Sequence, residues 1–143
     1  MEFRYFDVIH ALGVQDYIIE HSGGRKGLLN QGLLESALEH IQNDLYYPNL
    51  EDKLCHLFFS INKNHAFNDG NKRSSISLSA YFLEINGGDF IVNKYIQEME
   101  NVAVYVADNK IDKELLHEII CEILYKAEFS EELRFKIAIA LML

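Results

Sequence analysis

The sequence has no tryptophan, one proline, two cysteines and only 13 basic side chains against 22 acidic ones in its 143 residues. Proline and turn clusters are what a many-stranded sandwich or barrel needs at its corners, and Pro48 stands almost alone, so a helical fold is expected. Two cysteines exclude a disulfide scaffold. Cys55 and Cys121, each flanked by apolar residues, read as buried reduced thiols of a cytoplasmic protein. The shortage of positive charge leaves a formal net charge of −9. That opposes direct DNA or RNA binding, which requires a basic face to displace counterions. Long hydrophobic runs are missing too. The opening MEFRYFDVIHALG carries charges where a secretory signal would be apolar. The apolar tail Ile137 to Leu143 falls far short of the ~20 residues of a membrane helix, so no membrane contact is expected and the tail reads as core or partner surface.

What is present is apolar residues at helical spacing, 49% of the chain being hydrophobic. One domain spanning 1–143 is expected, without internal repeats or linkers. Phe6, Val8, Ile9, Leu12, Tyr17, Ile18 and Ile19 predict a first helix stopping at His21, before Ser22-Gly23-Gly24. Residues 25–32 then read as a loop, whose GGRKG lacks P-loop spacing. Leu33 to Ile41 predicts a second helix, running out at Asn43-Asp44. Leu50 to Lys63 predicts a third, with Leu54, Leu57, Phe58 and Ile61 on one face and His56 to one side. Asn71 to Asn86 predicts a central helix stopped by Gly87-Gly88, with Ile76, Ala80 and Leu83 inward. Residues 89–93 read as a short β-like segment. Tyr95 to Ala107 and Leu115 to Ala127 predict two further helices, the latter capped by Asp112, and a last helix closes the chain. The fold class is therefore all-α, a compact bundle of about six to seven helices around the central one.

Within nine residues, His65-Ala66-Phe67-Asn68-Asp69-Gly70-Asn71-Lys72-Arg73, the chain places a base, a carboxylate, a glycine and three nitrogen donors where a loop becomes a helix. A helix N-terminus offers unpaired N–H groups and partial positive charge, and Gly70 leaves room for a phosphate to approach them. Asn71 and Arg73 suit charge-assisted bonds to phosphate oxygens, and Lys72 adds a point charge. Asp69 is the natural Mg²⁺ ligand, since one carboxylate with phosphate oxygens and waters is the usual way to hold that ion. His65 is the nearby group able to exchange a proton near neutral pH, and Phe67 is expected to turn inward as a structural lock. The same residues also fit a solvated polar helix start preceded by an ordinary histidine.

HAFNDGNKR resembles the H-x-F-x-D/N-A/G-N-K-R signature of the death-on-curing (Doc) branch of the Fic/Doc superfamily at every specified position. The likeness continues through the glycine turn and the Leu33-Leu34-Glu35-Ser36-Ala37-Leu38 helix, covering roughly residues 5 to 125. The resemblance implies the all-α Fic/Doc bundle, with His65 deprotonating a target hydroxyl and Asp69 holding Mg²⁺. Gly70, Asn71, Lys72 and Arg73 are then implied to bind the phosphates of ATP. Fic proteins generally transfer AMP and carry a glycine where this chain has Lys72 and an arginine where it has Ile76. The two departures favour the Doc reaction, in which an inverted nucleotide presents its γ-phosphate. The implied target is a threonine of elongation factor Tu, and the implied outcome is blocked translation by a bacterial or phage-encoded toxin. The implied partner is a Phd-like antitoxin whose tail folds over a groove. Ser130-Glu131-Glu132-Leu133-Arg134 does not satisfy the inhibitory S/T-x-x-x-E-G/N pattern of some Fic proteins, so control in trans is expected.

The rival functions are AMP transfer and a non-catalytic helical binding module. His117-Glu118-Ile119-Ile120-Cys121 imitates a zinc-protease motif but has cysteine as its second ligand, on an ordinary amphipathic helix. His10, His21, His40 and His56 sit singly on predicted helices and read as surface or core residues. No His-Asp dipeptide supports a phosphohydrolase.

Overall fold

The computed structural model describes residues 2–24, 27, 30–65, 67 and 69–143. Among them run seven α-helices: α1 (Val8–Ser22), α2 (Gln31–His40), α3 (Leu50–Asn64), α4 (Asn71–Leu83), α5 (Val92–Ala107), α6 (Lys113–Tyr125) and α7 (Glu131–Met142). The expected all-α class holds. α3 and α4 form the central pair; α1 packs on α4, α2 on α3, α5 on both, α6 on α3 and α5, and α7 on α6.

Side chains set where most helices begin. Asp7, Asn30, Asp112 and Ser130 each accept a hydrogen bond from a first-turn N–H of α1, α2, α6 and α7, satisfying a donor the helix leaves orphaned. Asp112 is the cap its sequence position suggested. The core forms where the apolar stripes meet. Leu54, Leu57, Phe58 and Ile61 of α3 are buried, as their spacing predicts, against Leu78, Phe82 and Leu83 of α4 and Leu116, Ile119 and Ile120 of α6. Each such side chain contributes roughly 1.5–3 kcal/mol through its removal from water.

Buried polar groups lock these helices together. The Tyr95 hydroxyl of α5 donates to Ser79 Oγ of α4 at 2.8 Å. Lys53 is fully buried, and its ammonium donates to the Ile41 carbonyl at 2.6 Å and to Asp44 at 2.7 Å. The extended N-terminus is held by Asn86, which accepts from the Arg4 N–H at 2.8 Å and donates to the Arg4 carbonyl at 3.0 Å.

Several expectations are corrected. Residues 89–93 are not β-like: a π-type turn over Glu84–Gly88 is followed by a 3-10 turn over Asp89–Ile91 and the start of α5. No strand lies among the described residues to complete an extended ladder, so the backbone satisfies itself locally. The central helix accordingly ends at Leu83, and Gly87 makes the stop with φ +88. α2 begins at Gln31, inside the expected loop, and ends at His40; Arg25, Lys26, Leu28 and Leu29 of that loop lie outside the described residues. His56 is buried, not to one side, and does not stand singly: its Nε2 lies 3.3 Å from His40 Nδ1, and Lys113 Nζ is 2.9 Å from its Nδ1. Cys121 is half-buried where full burial was expected; Cys55 is buried and both are free thiols. Along the apolar tail Ile137 and Ala140 pack inward, while Ile139, Met142 and Leu143 face outward. No described helix is long and apolar enough to cross a membrane.

Candidate active site

α3 does not stop in a glycine turn but in a histidine. His65 adopts the left-handed conformation, φ 52 and ψ 49, which is uncommon for a residue with a side chain and costs on the order of 1–2 kcal/mol. The chain thereby reverses and leaves the imidazole exposed at the mouth of a cleft. Two residues on, Phe67 is fully buried, so the loop is pinned from below as its apolar character demands.

Asn71 locks the loop. Its Oδ1 accepts from the Phe67 N–H at 3.2 Å and its Nδ2 donates to the Phe67 carbonyl at 3.0 Å. The pairing fixes the amide's orientation, and Nδ2 also lies 3.5 Å from His65 Nδ1. A side chain expected to reach phosphate is thus committed to backbone. It holds Phe67 and the His65 imidazole in register.

α4 opens on Gly70, also left-handed at φ 75, with no side chain capping the helix. Among the described residues no side chain caps the first N–H groups of α4, which leaves donors an anion could use beyond the Gly70 N–H that Asp69 occupies,. A methyl at Gly70 would lie 3.2 Å from Gln15 Nε2. Asp69 precedes it, Oδ1 accepting from the Gly70 N–H at 2.8 Å. Its other oxygen packs so tightly on the glycine turn after α1 that a Cβ at Gly24 would come within 2.8 Å of it.

Lys72 is exposed, and no ion pair holds it among the described residues. Arg73, half-buried, donates to the Gly23 carbonyl at 3.3 Å, spanning from α4 to the end of α1. Together His65, Asp69, Gly70, Asn71, Lys72 and Arg73 line one cleft of about 400 Å³ with Asn62 and Ala107. All expected site residues are therefore brought together. Positive groups outnumber the one carboxylate, a local reversal of the acidic chain. A single carboxylate fits a Mg²⁺ whose remaining ligands come from phosphate and water, and no group of three metal-holding side chains occurs among the described residues,.

Two participants were not anticipated. Gln15 of α1 is buried, donates to the Asp69 carbonyl at 2.6 Å, and accepts from the Ser74 hydroxyl of α4. It ties the first helix to the loop that shapes the anion site. The sequence carries little signal for it, because Gln15 stands beside Asp16 on a helix that also bears His10 and Glu20. Asn62 is the second: buried in the cleft wall, it donates to the Ala103 carbonyl of α5 at 3.0 Å, and its Oδ1 has no hydrogen-bond partner among the described residues.

The zinc-protease imitation resolves into other bonds. His117 Nε2 lies 2.7 Å from Asp52 Oδ1, and its Nδ1 lies 3.7 Å from Cys121 Sγ. Burial and surrounding carboxylates push the Cys121 thiol up to about 11, and burial pushes Cys55 up to about 12. Neither is a thiolate at neutral pH, so neither is a ready nucleophile.

Residues 5–83 match the profile of the Fic/DOC family, a span holding the whole cleft loop, Gln15 and the glycine turn. Over 94 residues the chain is 37% identical to a protein named Toxin Doc from Mycolicibacterium smegmatis, covering 60% of this chain and 72% of that protein.

Proposed function

The chain belongs to the Fic/DOC family, and from that premise we propose that it is the toxin of a toxin-antitoxin pair. Its reaction is transfer of the γ-phosphate of ATP to a threonine hydroxyl of elongation factor Tu, which blocks translation in the bacterial cytoplasm. The observation that carries this reading is the uncapped N-terminus of α4 at Gly70, flanked by Lys72 and Arg73 and faced by the exposed His65.

In this reaction His65 takes the proton of the target hydroxyl as its oxygen bonds to the γ-phosphorus, and the bond to the bridging oxygen breaks to release ADP. The α4 N–H groups, Lys72 and Arg73 hold the phosphate oxygens and offset the charge that accumulates on them. Asp69 would hold Mg²⁺, which would supply positive charge to neutralise the phosphates. Such transfer is mainly positioning and charge stabilisation, because its transition state is loose and needs little covalent help. Asn71 contributes by fixing the loop, not by freeing its amide. Lys72 and Ile76, the two departures from the Fic pattern, favour phosphate over AMP as the transferred group. A Phd-like antitoxin would restrain the activity in trans.

The test is expression in a bacterial host. Wild-type protein arrests growth and elongation factor Tu gains the mass of one phosphate on a threonine. His65→Ala, folded to the same helical content, does neither. Arrest by His65→Ala as complete as by wild type would sink the base assignment, and a mass gain of AMP would replace kinase by nucleotidyl transfer.

A further inference from the structure

The turn that ends α1 touches the cleft residues twice. Gly23 closes the helix by donating its N–H to the Ile19 carbonyl at 2.9 Å, and its own carbonyl accepts from Arg73. Gly24 follows with φ +115 and lies against the Asp69 carboxylate. A Cβ there would stand 2.8 Å from Asp69 Oδ2 and 3.0 Å from Ile19 Cδ1. Gly23, at φ 80 and ψ 174, has a backbone that also disfavours a side chain, yet a Cβ on it would meet nothing within 4 Å among the described residues,. Both glycines are required by conformation. Gly24 is required by space as well.

Asp69 is thereby fixed from three sides. Gln15 donates to its carbonyl, the Gly70 N–H donates to Oδ1, and Gly24 backs Oδ2. The buried Ile19 lies beneath the last contact, and its Cδ1 is also 3.5 Å from where a Cβ at Gly70 would be. A set direction matters for a carboxylate that holds Mg²⁺, because this ion demands near-ideal octahedral geometry. One carboxylate, in a cradle that a Cβ would fill, suits a cation whose other ligands are phosphate oxygens and water. We propose that Gly24 is a positioning residue for the divalent cation: lacking a Cβ, it seats the Asp69 carboxylate in the direction that holds Mg²⁺. The inference rests on the transferase reading above and adds the turn after α1 to that site. Because the Gly23 carbonyl holds Arg73, the same turn sets the spacing between the metal's ligand and a phosphate-binding cation.

Equilibrium binding of ATP to the full chain, in EDTA and in Mg²⁺, tests this without requiring catalysis. Mg²⁺ should tighten binding by about tenfold or more in wild type and in Gly23→Ala, and by less than about twofold in Gly24→Ala. Metal-free affinity should stay within about threefold across the three proteins, which a collapsed site would not allow. Tightening retained by Gly24→Ala overturns the proposal. So does its loss in both variants, because strain in the turn and not contact with Asp69 would then be the cause. If Gly24→Ala does not fold, adding Asp69→Ala should restore folding, since the carboxylate that the methyl meets is gone. A double variant that stays unfolded overturns the proposal too. Wild type whose ATP affinity ignores Mg²⁺ removes Asp69 as the metal's ligand and this inference together. Wild type that shows the Mg²⁺ effect and transfers nothing removes only the transferase reading.

Discussion

His65 is held in a left-handed turn, so the strain lies in the residue itself: the candidate site's imidazole depends on a backbone conformation that its own side chain disfavours. The strain is maintained by what lies on either side, the buried Phe67 and the amide pairing of Asn71. Five residues later Gly70 repeats the left-handed geometry without that penalty, having no Cβ,. Gly70→Ala should therefore destabilise the fold by about 1–2 kcal/mol in urea unfolding, from the positive φ. It should also reduce transfer more than stability requires, because the added methyl faces Gln15 Nε2 and the anion site. Full activity in the alanine variant would show that phosphate does not approach there.

His56 is the other residue with a measurable signature. Burial, reinforced by the Lys113 ammonium and His40, pushes its imidazole down from 6.5 to about 4. As pH falls the unfolded chain takes up this proton first, so the contribution to stability is full above pH 6.5 and is lost between 6.5 and 4,. His56→Gln should flatten the unfolding free energy across that window. An unaltered slope would mean that the histidine is not held neutral by the α2–α3–α6 contact.

At the level of elements, the α1–α4 junction determines whether the cleft loop is formed. Gln15 bonds the Asp69 carbonyl and accepts from Ser74 across that junction. Gln15→Leu keeps the volume approximately and leaves both partners unpaired. It should cost about 1–3 kcal/mol by denaturant unfolding and lower kcat with little change in helical content. A leucine variant of unchanged stability and turnover would rule out the positioning role. The contribution of Gln15 was not legible in sequence, since beside Asp16 and on a helix with His10 and Glu20 it reads equally as part of a solvated face. The stripe of α3, the Asp112 cap and the glycine stop at Gly87 were legible, because periodicity and capping chemistry act locally. Residues 89–93 misled for the complementary reason. Their β-propensity is meaningful only with a neighbouring strand, which is a property of the tertiary fold. Asn71 shows the same limit at the site: its place in the motif was readable, but its engagement by Phe67 depends on how the loop closes.

For the molecule as a whole, charge and shape work at different ranges. The net charge of −9 repels polyanions at a distance, while the cleft gathers Lys72, Arg73, His65 and the α4 N-terminus within about 400 Å³. In the proposed reaction a small triphosphate would reach that cleft, where a nucleic acid would be repelled from lying along the surface. The measurement that tests phosphate transfer most directly is incubation of the purified chain and bacterial lysate with ATP labelled at either the γ- or the α-phosphate. Label should pass to a protein from the γ-position alone and should vanish with His65→Ala. Transfer from the α-position, or no transfer from either by a folded protein, would contradict it.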